Sequence, residues 1–336
     1  MADLIESSPE ATAWMAEALI ANAGGAVFGR LAKSVIWSND TDADGNLLVP
    51  LDPRQLAAEI NADHFPLLLG HDPGRPLGKV IAAKVFENQT GNVFVAAVLG
   101  FYEGAPKLSF GELGMDPLAD APSPDTLPAL PTDFRFQLAV DPREIDPSLV
   151  NEVTRDAPFP IDFRGRSNNA ADTSQTFLGI SVLFLALVWN PFVTTFANEA
   201  SKDVYVAVRK WLRKLSSHMA KCSNPVVELQ SFHGDCHISF MLRGHDVARH
   251  YKAHDALDGA AARAAQLIAR MRAASLAPVR LVYEFHATDD LWYPSYAELS
   301  DGRLVSDVAT LIAVEKLPPG LSLGIALPNL PEPRDE

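Results

Sequence analysis

Residues 65–80, FPLLLGHDPGRPLGKV, are the first place where this chain could carry chemistry, because an apolar run there ends in His71-Asp72. An imidazole at the rim of a strand can act as a general base, since its ordinary pKa lies close to neutral pH. The competing reading of His71 is a turn residue whose ring caps backbone groups, with Asp72 as its hydrogen-bond partner. A second spacing, Asp40-Thr41-Asp42-Ala43-Asp44-Gly45, matches the first half of a calcium loop. Asp40, Asp42 and Asp44 place oxygen ligands at alternate positions, and the glycine allows a sharp turn. Leu51 stands where such a loop needs a bidentate acid, so a solvated polar turn competes with that reading. A third group is the histidine-rich C-terminal part, with His218, His233, His237, His245, His250 and His254 near both cysteines. The spacings His218-x3-Cys222 and His233-x2-Cys236 offer zinc-type ligands. Cys236, however, alternates with Ile238, Phe240 and Leu242, which places it on a core face as a small hydrophobe. The sequence implies no cofactor: it has no Walker A loop, no dinucleotide-binding glycine fingerprint and no HExxH.

These residues need elements to hold them. Residues 11–21 read as a short amphipathic helix ended by Gly24-Gly25. Residues 27–37 read as a strand and 40–46 as a polar turn. Asp52-Pro53 supplies an N-cap and a first-turn proline for a short helix to about Asn61. Residues 65–69 read as a buried strand, and residues 80–86 and 93–99 as a hairpin. A Pro/Asp/Ala-rich surface loop over 116–133 precedes a strand over 134–140. After a polar connector, residues 177–197 (FLGISVLFLALVWNPFVTTFA) carry no charge. Residues 201–215 place Val204, Val208, Trp211, Leu212 and Leu215 on one helical face, and Arg209, Lys210, Arg213 and Lys214 towards the other. Further on come a hairpin about His233-Gly234-Asp235, an Ala/Arg-rich helix over 256–274 and a strand over 279–285. The expected fold class is α+β. The expected organisation is an N-terminal helix (1–25), a β-rich domain (26–150), a connector (151–176), an apolar helix (177–197), a basic amphipathic helix (198–224), an α+β domain (225–330) and a tail (331–336).

Between Asp42 and Val80 an Asp/Gly turn, a short helix, an apolar strand, His71-Asp72 and Pro76-Leu77-Gly78-Lys79-Val80 follow one another into a hairpin. This order resembles the tailed-phage prohead proteases, the serine proteases that mature capsids, and the resemblance covers about residues 26–150. It implies a barrel-like β domain and acyl transfer, in which an imidazole activates a hydroxyl. It makes His71 the base, Ser109 in Leu108-Ser109-Phe110-Gly111 the nucleophile, and Glu144 in Arg143-Glu144-Ile145-Asp146 the third member. The chain departs from the family in two respects: residues 101–107 leave no room for the helix that precedes the nucleophile strand, and the residues around Glu144 match the family's motif only faintly.

With 336 residues and a formal net charge of −14, the chain is long enough for two domains and argues against non-specific nucleic-acid binding. Two cysteines fit a reducing compartment. Asp3, Glu6, Glu10 and Glu17 stand where a secretory signal would be basic, so the expected location is cytoplasmic or the cytoplasmic membrane. The apolar run is long enough to span a bilayer, and the basic cluster from Lys202 to Lys221 puts its C-terminal side in the cytoplasm. Asn190-Pro191 interrupts the run, which leaves three placements open: a membrane anchor, an interfacial helix, or a buried or oligomer-packed helix. The expected function is that of a membrane-associated bacterial regulatory or interaction protein with a protein partner, on a degenerate protease-like domain. The alternative is an active serine endopeptidase acting on a peptide substrate or on itself; a homo-oligomer fits either.

Overall fold

Local signals start the first elements. Ser8 has extended backbone and its hydroxyl accepts the amide of Ala11 at 3.3 Å, opening α1 (Pro9–Asn22) with proline in its first turn. Asp52 does the same for α2 (Pro53–Ala62), accepting the amides of Arg54 and Gln55 at 2.8 and 3.0 Å. The computed structural model describes residues 4–69, 72–119, 135–140, 147–165, 177–181, 199–222, 224–286 and 288–307. They divide into two compact units, one within residues 4–106 and the other within residues 107–307.

In the first unit β1 (Arg30–Ser38), β2 (Phe65–Leu68), β3 (Pro76–Glu87) and β4 (Val93–Phe101) form an antiparallel sheet ordered β1-β4-β3-β2. Strand β4, VFVAAVLGF, is almost uniformly apolar because both its faces are covered. Val95, Ala97, Leu99 and Phe101 join Ala57 and Ile60 of α2 in one core. Phe94, Ala96 and Val98 join Ala11 and Met15 of α1 in another. The period of two along the strand thus builds two cores from one apolar run.

The second unit is a mixed eight-stranded sheet ordered β12-β11-β10-β9-β8-β7-β5-β6. Its strands are β5 (Phe136–Val140), β6 (Ile161–Gly165), β7 (Phe177–Ser181), β8 (Val226–His233), β9 (Cys236–Arg243), β10 (Pro278–His286), β11 (Leu291–Leu299) and β12 (Leu304–Val305). Three pairs run parallel: β5 with β6, β7 with β8, and β9 with β10. Each has helix between its strands, as a parallel crossover requires: α3 (Pro147–Arg155), α4 (Glu199–Met219), and the pair α5 (Val247–Asp255) and α6 (Leu257–Ala273). Trp211, Leu212 and Leu215 of α4 and Ala264, Leu267 and Ile268 of α6 share a core with Leu229, Phe240, Tyr283 and Trp292 of the sheet. Trp211 stacks on Phe136 with centroids 4.9 Å apart and donates its indole N–H to the Val153 carbonyl at 2.8 Å. On alternate positions lies a polar network, in which the Ser239 hydroxyl and the Gln230 amide donate to the buried Glu228 at 2.6 and 2.7 Å.

The structure confirms the α+β class and corrects several expectations. Neither large sheet closes into a barrel. Among the described residues the first unit ends at Pro106, so residues 107–119 and 135–140 fall in the second unit rather than in the β-rich domain expected over 26–150. The polar connector is not featureless, since it holds most of α3 and all of β6. The apolar stretch does not begin as a membrane helix. Residues 177–181 are β7, hydrogen-bonded between β5 and β8 in mid-sheet, while residues 182–197 lie outside the described residues. Among the described residues no helix is long and apolar enough to cross a membrane. A charge-free run is equally the signature of a strand enclosed within a sheet, which explains the misreading.

Candidate functional site

Asp72 ends β2 by building a turn. The Gly74 amide donates to its Oδ1 at 2.8 Å, the Arg75 guanidinium lies 3.6 Å from Oδ2, and the carboxylate is buried. His71 and Glu144 lie outside the described residues. Ser109 belongs to the second unit, where the preceding Leu108 pairs with Val305 of β12. Its hydroxyl donates to Asp307 Oδ1 at 2.7 Å, and the Glu112 amide donates to Ser109 Oγ at 3.3 Å. Asp307 also accepts the Gly111 amide at 3.3 Å, so serine and aspartate together close the turn over residues 109–114. Sequence spacing gave no hint of Asp307, which is 198 residues from its partner.

The Asp40/Asp42/Asp44 stretch folds as a turn that uses its own carboxylates. Asp42 Oδ1 accepts the amides of Asp44 and Asn46, both at 2.9 Å, and these hydrogen bonds, that of Asn46 foremost, hold its carboxyl below the usual range. Asp40 accepts the Ser38 hydroxyl at 2.6 Å. Among the described residues no three His, Cys, Asp or Glu side chains gather as a metal site would require. The zinc spacings fare no better. Cys236 is fully buried and burial pushes its thiol up to about 12, whereas a zinc ligand must be a thiolate. His218 faces Glu152 at 3.5 Å instead.

The structure assembles a different site on the polar side of α4. Arg209 and Arg213, one helical turn apart, both pair with the same oxygen of Asp255 at the end of α5, Arg213 at 2.6 Å. The Arg213 guanidinium also lies over the Tyr251 ring, 5.1 Å from its centroid, and the Tyr251 hydroxyl is fixed by Ser217 at 2.8 Å. Lys214 reaches Asp156 at 2.5 Å, a contact that holds the Asp156 carboxyl low. Val206, Arg209, Lys210, Arg213, Lys214 and Tyr251 line a cavity of about 540 Å³ beside these ion pairs. The four cations were visible in the sequence as one face of an amphipathic helix. Tyr251, Asp255 and Asp156 were not, because α5 and the end of α3 reach them only through the fold.

Comparison of the chain with protein-family models, curated proteins and solved structures found no significant match.

Proposed function

We propose that this is a regulatory or interaction protein in which about residues 26–150 derive from a prohead-protease-like domain that has lost its protease chemistry. The observation that carries this reading is the environment of Ser109. Its hydroxyl is committed to the Asp307 carboxylate and to a turn amide. The serine hydroxyl meets a carboxylate and a backbone amide here and no imidazole, so this contact orders a turn rather than generating an alkoxide. The cationic cavity on α4 supports the interaction side of the reading, since it stands out in a chain of net charge −14. A fluorophosphonate probe tests the proposal, with a known serine hydrolase as positive control. Labelling of the wild type should not exceed that of Ser109→Ala. Labelling that disappears in both Ser109→Ala and His71→Ala would replace this reading with a serine endopeptidase.

A further inference from the structure

We infer that the α4 cavity is a docking site for an acidic, extended segment of a partner protein, and that Asp255 is an internal stand-in which this segment displaces. The inference rests on the interaction reading above and names the partner's chemistry. Two guanidinium groups converging on one carboxylate oxygen show what the arginines of the cavity accept, because Asp255 already pairs with both. The planar fork of arginine favours carboxylate in this geometry.

The site holds Asp255 weakly. Its side chain is 48% exposed, and exposed ion pairs contribute little. An incoming carboxylate therefore competes with one that is half exposed to water. The spacing of the cations fits a chain rather than a single ion. Arg209 and Arg213 together take one carboxylate, and on the neighbouring row Lys210 and Lys214 lie about 6 Å apart along α4, close to the separation of about 6.8 Å between side chains i and i+2 of an extended strand. Val206, 60% exposed, and the Tyr251 ring provide apolar surface for the intervening residues. The basic character is local, since α4 carries five Lys or Arg against two acidic residues in a strongly acidic chain.

A fluorescein-labelled peptide of alternating Glu and Val, titrated by anisotropy into the full chain, tests this. The wild type should bind it, and binding should weaken as salt rises. Asp255→Asn keeps an acceptor for Arg213 while removing the competing charge, so it should tighten binding about threefold to tenfold. The double variant Lys210→Glu/Lys214→Glu should weaken binding at least tenfold, with thermal melts confirming that each variant is folded. Inorganic phosphate at matched ionic strength should displace the peptide no better than chloride. Absence of binding in both the wild type and Asp255→Asn overturns the docking site, and unchanged affinity in a folded Asp255→Asn overturns the role of Asp255. Displacement by phosphate would make the site a general oxyanion receptor and overturn the peptide assignment. None of these results bears on fluorophosphonate labelling at Ser109, so the two readings fail separately.

Discussion

Behind the cationic cavity, Ser216 and His254 share a hydrogen bond of 2.9 Å, and each is about 1% exposed. Burial, reinforced by the neighbouring His250 and by the positive charges of Arg213 and Arg209, drives the His254 pKa from 6.5 down to about 3. The folded protein therefore keeps this ring neutral while the unfolded chain takes up a proton as pH falls through 6.5. The stability that follows is complete above that value and is lost towards the folded pKa, at about 1.4 kcal/mol per pH unit while only the unfolded form is protonated. His254→Gln should cost about 1–2 kcal/mol at pH 7.5. It should also flatten the loss between pH 6 and pH 4.5, as read by urea unfolding across that range. An acid slope identical to wild type would show that His254 is not the group being protonated. The sequence marks this histidine only as one of a cluster, because Ser216 is 38 positions away and burial cannot be read from residue type.

At the level of elements, the stretch that opens at the His-Asp pair turns out to be exacting about its glycine. A Cβ at Gly78 would lie 1.9 Å from the Gly100 carbonyl oxygen on the paired strand β4. A backbone atom cannot swing away as a side chain can. Gly78→Ala should therefore destabilise the protein by about 3 kcal/mol, whereas Gly25→Ala, which meets nothing within 4 Å, should be close to neutral. Equal melting temperatures for the two variants would refute the close approach of β3 and β4. Elements with local signatures were legible: the Asp52-Pro53 helix start, the hairpins about residues 87–92 and 233–235, and the amphipathic α4. Helix α5 and strand β6 were not, since nine and five residues give too short a periodic pattern. Strand β7 was misread for the opposite reason, because an unbroken apolar run is common to enclosed strands and membrane helices.

For the molecule as a whole, the division at residue 106 implies that the first unit is self-sufficient. Both of its cores are made from residues of α1, α2 and the four-stranded sheet, with Ile5. A fragment of residues 1–106 should show mixed α/β circular dichroism and a single cooperative thermal transition. A fragment that melts without a transition would show that the unit depends on the rest of the chain. By itself the sequence determined the α+β class, the Asp52-Pro53 helix start, the hairpins and the cationic face of α4. Each is encoded by neighbours within one or two turns of chain, where spacing and residue type suffice. Only the tertiary structure decided that residues 177–181 lie in mid-sheet, that Ser109 faces Asp307, and that Asp255 seats between Arg209 and Arg213. Those contacts join residues tens to nearly two hundred positions apart. They form because the strands around them must find partners for their backbone hydrogen bonds and apolar faces, a requirement met by the sheet as a whole and not written in any one segment.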